Sequence, residues 1–184
     1  TDELIPSGET SSFRSNPLRL AEFALSRKDP LYVGASKCVR DGDNADIKSV
    51  LSDLNFDFND TTISSCIFAV KPGDGSAREQ AASCQRFLGG GANIAREYAT
   101  KRYRSNLINW GMLPLIDCKT EYKKGDIVVI ENIRDTLLQG KSEFNAYLVR
   151  GEKTESIVLK IGALTDSEKQ IILDGCLINY YKRG

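Results

Sequence analysis

Apolar residues recur along this chain with two spacings, and segments of the two kinds alternate. Residues 66–70 form a short β-branched apolar run. Residues 126–132 (Asp-Ile-Val-Val-Ile-Glu-Asn) read as a second strand, bounded by polar residues. Residues 144–149 and 156–161 flank Arg150-Gly151-Glu152-Lys153, which predicts a hairpin. Residues 92–95 and 112–116 are shorter strand candidates, and Pro114 predicts a strand end or an edge position. Helical spacing starts after Asn16-Pro17, an N-cap followed by proline at the first helical position. It runs through Leu18, Leu20, Ala21, Phe23, Ala24 and Leu25 to Arg27-Lys28, and Asp29-Pro30 ends it. Ile47, Val50, Leu51 and Leu54 share one side of a second helix over 46–54. Residues 100–110 are a third, stopped by Gly111. Thr165 and Glu168 form a capping box for a last helix whose buried face holds Ile171, Ile172, Leu173, Leu177 and Ile178. The loop 55–60 is anchored by Phe56 or Phe58. Residues 1–14 read as an extended segment. Strands interleaved with helices predict an α/β fold: a compact mixed sheet with flanking helices.

The stretch 64–115 carries the chemistry. The strand at 66–70 runs into Lys71-Pro72-Gly73-Asp74-Gly75, where proline blocks strand continuation and the glycines permit positive φ. Ser76 then opens Ala77-Arg78-Glu79-Gln80-Ala81-Ala82, made largely of good helix formers. Strand, glycine turn and helix N-terminus, in that order, bring free N–H groups and the positive end of the helix dipole together just past Gly75. Such a place binds anions. Ser76 sets a hydroxyl at the helix entrance, and Arg78 can grip a carboxylate with two parallel hydrogen bonds. Ser76 and Glu79 also have capping-box spacing, so the same serine reads as a helix cap. Phe87-Leu88-Gly89-Gly90-Gly91 ends that helix.

Charge narrows the field. The 184 residues contain 25 Lys+Arg and 25 Asp+Glu, so the net charge is zero, against a general nucleic-acid or membrane-surface binder. Lys101-Arg102-Tyr103-Arg104 is a local basic patch with an aromatic inside it, the kind RNA binding uses, and equally a solvated helix face. No apolar run is long enough to cross a bilayer. The five cysteines (38, 66, 84, 118 and 176) are widely spaced and there is no histidine, so a metal site built from this chain alone is not expected. Cys66 and Cys84 read as buried reduced thiols, and a cytoplasmic protein follows.

Four motifs in order carry a resemblance. Gly73-Asp74-Gly75-Ser76-Ala77-Arg78-Glu79-Gln80-Ala81, then Leu88-Gly89-Gly90, then Ser105-Asn106-Leu107 and Gly111-Met112-Leu113-Pro114-Leu115 resemble the C-terminal swivel domain of the aconitase family. The family pattern is Gly-x-Gly-Ser-Ser-Arg-Glu-His-Ala, Leu-Gly-Gly, Ser-Asn-Leu and Gly-x-Leu-Pro-Leu. The opening Thr1-Asp2-Glu3-Leu4-Ile5-Pro6-Ser7-Gly8, with Arg14 after it, looks like the family's Thr-Asp-His-Ile-Ser-Pro-Ala-Gly and its following arginine. The resemblance covers essentially the whole chain. It implies one domain over 1–184 with the family's swivelling β/β/α fold, residues 1–15 leading in from the interdomain linker. A start without Met, inside a motif, gives the look of a piece of a longer protein.

The resemblance also implies a function. Aconitase-like hydro-lyases dehydrate and rehydrate di- or tricarboxylic hydroxy acids, with iron of a 4Fe-4S cluster as Lewis acid. Ser76 matches the family's base. Arg78 and Arg14 match carboxylate-binding arginines, and Asp2 the active-site aspartate of the opening motif. Gly75 and Ala77 flank the base as substrate-binding positions. The cluster's ligands would lie in cluster-bearing domains of the same protein, so this chain would supply half of a site for a small carboxylic-acid substrate. Ala77 stands where the family has a second serine, Gln80 where it has histidine, Glu3 where the opening motif has histidine, and Tyr103 where histidine is frequent. These departures leave the substrate open. A carboxylate- or phosphate-binding module and an RNA-binding module, both without catalysis, remain as alternatives.

Overall fold

The structure is a computed structural model that describes residues 1–6 and 8–183; Ser7 of the opening motif and Gly184 lie outside the described residues. Its frame is a six-stranded mixed sheet in the order β1-β2-β3-β6-β5-β4. β1 (Ser65–Ala69), β2 (Gly90–Ala95) and β3 (Leu113–Ile116) are parallel neighbours. They are joined by α4 (Arg78–Phe87) and α5 (Lys101–Asn109), giving two consecutive βαβ crossovers. The other half is antiparallel: β4 (Ile127–Ile130), β5 (Glu143–Arg150) and β6 (Lys153–Ile161), with β6 meeting β3. The predicted hairpin is β5–β6; Arg150 pairs with Lys153 across a two-residue turn that Gly151 enters at φ +59°. The α/β class and the mixed sheet with flanking helices are as the sequence indicated.

Pro114 is not at an edge, because β3 lies between β2 and β6. It is tolerated because β6 pairs only with Leu115 and Ile116, so the antiparallel ladder begins beyond the proline. Two apolar clusters hold the frame. One joins Leu4, Ile5, Leu20, Ala82, Leu107 and their neighbours beside the parallel strands. The other packs Ile108 of α5 and Ile171 and Ile172 of α7 (Asp166–Leu173) over Phe144, Leu148 and Leu159 of the sheet.

The opening segment is coiled into turns instead of extended. The Ile5 N–H donates to the Thr1 carbonyl at 2.8 Å, Thr10 donates to the Pro6 carbonyl through both its N–H and its hydroxyl, and Ser11–Phe13 is a 3-10 turn. Ile5 is fully buried, so this segment is part of the core. It also shortens the first helix. Asn16 caps α1 (Pro17–Ala21) through a bond from the Arg19 N–H at 3.1 Å, but the helix does not reach Arg27. Leu25 turns to φ +55° and gives its N–H to the Leu4 carbonyl at 2.9 Å, while Leu18 is left exposed.

Two helices appear that apolar spacing did not announce, α2 (Tyr32–Asp41) and α6 (Ile133–Leu138), while α3 (Ala45–Asp53) lies where 46–54 was expected. The last predicted helix is broken at Asp174-Gly175, where Gly175 has φ +85°, and resumes as α8 (Leu177–Lys182), leaving Ile178 exposed. Phe56 is the loop's anchor, against Tyr147 with ring centroids 6.2 Å apart; Phe58 is exposed under the Lys48 ammonium. No described helix is long and apolar enough to cross a membrane.

Candidate active site

Because β1 and β2 are parallel, the segments that follow them leave from the same, carboxyl, end of the strands, where open α/β sheets place ligands. They are laced together. The Glu97 N–H donates to the Val70 carbonyl at 3.1 Å and the Ala99 N–H to that of Pro72 at 2.9 Å. Lys71 and Glu97 form an exposed ion pair at 2.7 Å. Pro72 and Gly73 are buried at the bottom of the loop. Gly73 has φ +101°, and a Cβ there would lie 2.5–2.7 Å from side-chain atoms of Tyr103. Only glycine lets the backbone pass so close to that ring.

Tyr103 is held from behind by a buried polar chain. Asn93 of β2 donates from Nδ2 to the Tyr103 hydroxyl at 2.8 Å, and Gln85 of α4 donates from Nε2 to the Asn93 side-chain oxygen. Burial pushes the Tyr103 phenol up, so it remains neutral. Helix, strand and helix thus meet under the loop, and rigid neighbours keep a site in place.

The Gly73 carbonyl accepts two side chains: Arg78 Nε at 3.3 Å and the Thr100 hydroxyl at 3.1 Å. Arg78 is therefore folded back over the loop, not extended into solvent. The Gly75 N–H is taken by the Asp74 carboxylate at 2.9 Å, which removes one donor from the predicted anion cradle. Among the described residues no acceptor takes the N–H groups of Ser76, Ala77 and Arg78.

The capping box at Ser76 does not form. α4 starts at Arg78 with Ala77 as N-cap and no side-chain cap bond. Glu79 is drawn away, since its carboxylate accepts the Trp110 indole N–H at 3.1 Å. Ser76 is exposed, and among the described residues its hydroxyl has no hydrogen bond. Ala77 is buried, its methyl group in the first apolar cluster.

The opening residues touch the same loop. The Thr1 amino group donates to the Asp74 carbonyl, and a side chain on Gly75 would run into the Thr1 hydroxyl. Asp2 follows directly, but its carboxylate pairs with Arg27 at 2.5 Å, whose other terminal nitrogen holds Glu9 at 2.5 Å. The structure thus gathers Gly75, Ser76, Ala77 and Arg78 at one loop with Thr1 against it, while the Asp2 carboxylate is turned to Arg27. Arg14 is exposed at the end of the 3-10 turn, and no hydrogen bond or ion pair among the described residues ties it to them. Sequence reasoning missed Arg27, for which there was no local signal. It also missed Thr100, whose N-cap position before Lys101 was a usable one: its hydroxyl accepts the Tyr103 N–H at 3.2 Å.

The basic patch at 101–104 does not offer an aromatic face. Tyr103 is fully buried, and Arg104 donates to the carbonyls of Gly162 and Ala163 and lies 3.5 Å from Glu168. An RNA base could not stack there.

Nor do the residues fit an iron–sulfur cluster. Among the described residues no group of three His, Cys, Asp or Glu side chains could hold a metal ion, and the five thiols are free and scattered. Cys84 is buried, and that burial pushes its thiol up to about 12, the opposite of what a thiolate ligand needs. Cys66 keeps exposed surface on the edge strand β1, yet burial of its sulfur pushes that thiol up to about 12 as well.

Comparison with known proteins places the chain in a family. Residues 27–121, more than half of the chain, match the aconitase C-terminal domain family. The methanogen homoaconitase small subunit of Methanocaldococcus jannaschii is 33% identical over 111 residues, which are 60% of this chain and 57% of that one. A protein of Emericella nidulans named as a mitochondrial aconitate hydratase is 31% identical over 112 residues, 58% of this chain and 14% of that one. The crystal structure of a 3-isopropylmalate dehydratase from Methanocaldococcus jannaschii superposes with a TM-score of 0.59 at 23% identity, covering 99% of this chain and 85% of that chain, a likeness of fold. The chain belongs to the aconitase C-terminal domain family.

Proposed function

We propose that this chain is the base-bearing half of an aconitase-like hydro-lyase acting on a small di- or tricarboxylic hydroxy acid. The observation that carries the reading is the state of Ser76. Its hydroxyl stands exposed at the entrance of α4, uncommitted to capping, two residues before an arginine folded over the same loop. A serine hydroxyl acts as a base only where its alkoxide is stabilised, and a helix N-terminus and a guanidinium both favour the anion. Ser76 removes a proton from the carbon beside a substrate carboxylate, and Arg78 binds that carboxylate. Asp2, next to the loop, orients polar groups of the substrate, and Arg14 closes on a second carboxylate when the site is assembled.

Loss of the substrate hydroxyl falls to groups outside this chain, since its own residues do not fit a 4Fe-4S cluster. That part comes from a cluster-bearing partner. The relatives support both forms of it: one is a separate small subunit, and another contains the matched region as 14% of a longer chain. Five free thiols suit a reducing compartment such as the cytoplasm.

The test is turnover of the assembled hydratase. Ser76→Ala should lower kcat by about 10²–10⁴-fold with little change in KM, the pattern for a base acting only in the transition state. Arg78→Lys keeps the charge but loses the fork, so KM and kcat should both suffer. Normal kcat in folded Ser76→Ala would remove the base and leave a carboxylate-binding module.

A further inference from the structure

Arg78 is committed along one edge only. Its Nε donates to the Gly73 carbonyl at 3.3 Å, while among the described residues its two terminal nitrogens have no acceptor. The same carbonyl receives the Thr100 hydroxyl at 3.1 Å. That hydroxyl is used twice, because it also accepts the Tyr103 N–H at 3.2 Å as the N-cap of α5. Gly73 cannot move toward α5, since the Tyr103 side chain fills the space beside it. Helix α5 thus fixes a carbonyl, and the carbonyl fixes a guanidinium.

We propose that Thr100 is a positioning residue: through the Gly73 carbonyl it holds Arg78 so that an incoming carboxylate meets the edge formed by Nη1 and Nη2. A guanidinium has five N–H donors in a rigid fork, so occupying Nε leaves one bidentate edge and one orientation of the bound carboxylate. The inference rests on the reading of Arg78 as a carboxylate ligand and adds the residue that aims it.

Thr100→Val keeps the side-chain shape and removes the hydroxyl; Thr100→Ser keeps the hydroxyl. In the assembled hydratase Thr100→Val should raise KM about tenfold, the size of one lost hydrogen bond, with kcat changed less than about threefold. Thr100→Ser should restore KM. In the chain by itself, nitrogen-15 spectra of the arginine side chains should show the Arg78 Nε–H exchanging with water faster in Thr100→Val than in Thr100→Ser. A KM within about twofold of the parent's in Thr100→Val, whatever its melting temperature, would overturn the proposal and leave Thr100 a helix cap. Unchanged Nε–H exchange would overturn it as well. Ser76→Ala, assayed in parallel, separates the two levels. Inactive Ser76→Ala beside a normal Thr100→Val removes the positioning role and leaves the site; fully active Ser76→Ala with unaffected Arg78→Lys removes both.

Discussion

The indole N–H of Trp110 donates to the carboxylate of Glu79 at 3.1 Å, across thirty-one positions of sequence. That bond keeps Glu79 away from Ser76. Glu79 has the spacing to close a capping box on Ser76, but it turns to the end of α5 instead, and α4 begins uncapped at Arg78. Ser76→Ala should therefore leave the melting temperature nearly unchanged, within about 0.5 kcal/mol, whereas a functioning cap would cost about 1 kcal/mol. Trp110→Phe, which retains the aromatic contact with Phe87 but not the donor, should cost about 0.5–1 kcal/mol. Thermal denaturation of both variants checks this; a Ser76→Ala loss larger than that of Trp110→Phe would restore the cap.

Gly73 and Gly125 both have positive φ, and they should respond very differently to alanine. Gly125 has φ +89° with nothing within 4 Å of an added Cβ, so Gly125→Ala costs only backbone strain of about 1 kcal/mol. At Gly73 the new methyl also meets Tyr103. Strain plus overpacking brings the cost to about 2–4 kcal/mol and displaces the carbonyl that holds Arg78. The measurement is the pair of melting temperatures, with Gly73→Ala lower by several degrees; equal losses would mean that the close approach to Tyr103 is absent.

The parallel strands were legible as short continuous apolar runs, and the hairpin because two alternating runs, β5 and β6, flank Gly151. The loop of the candidate site was legible for a similar reason: proline, glycines and helix formers stand in a fixed local order. What escaped depends on partners far along the chain. Ser36 is a buried position of α2, so a polar residue occupies a core-facing site and blurs the helical period. Asn132 starts α6 from the left-handed region, where no side-chain cap marks the beginning. Leu25 leaves the helical path because Leu4 offers it a carbonyl, and Asp2 is held by Arg27; neither pairing has a signature in local spacing.

Thiol chemistry offers a test of the core that is independent of activity. Cys38 and Cys118 are exposed and Cys176 is half-buried, whereas burial pushes the thiols of both Cys66 and Cys84 up to about 12. The thiolate is the reacting form, so a disulfide reagent near pH 8 should modify Cys38 and Cys118 quickly, Cys176 more slowly, and Cys66 and Cys84 last, Cys84 only when the chain unfolds. Mass mapping of the labelled peptides reads the order directly. Rapid native-state labelling of Cys84 would place α4 less deeply in the core than the structure has it.

Asp126, just before β4, is tied to the frame by three hydrogen bonds. Arg150, at the end of β5, donates to it from Nε at 2.8 Å and from Nη2 at 2.6 Å, and the Lys123 N–H adds a third bond at 2.7 Å. Hydrogen bonding from Arg150 is the main cause that holds the Asp126 carboxyl below its ordinary range, against a smaller opposing effect of burial. A carboxyl whose folded pKa is depressed binds its proton more readily in the unfolded chain. Its contribution is therefore complete above the unfolded value of about 3.9 and is lost as the pH falls through the lower folded value. Asp126→Asn keeps the size and one acceptor but cannot lose a proton. At pH 7 the parent should melt about 3 °C above this variant, a gap typical of roughly 1 kcal/mol in a chain of this length. Below about pH 3.9 the gap should close steadily, because the parent's own carboxyl becomes neutral. Melting temperatures of the two proteins across that range are the measurement. A gap that stays constant down to acid would mean the bonds to Asp126 act by geometry alone, without its charge.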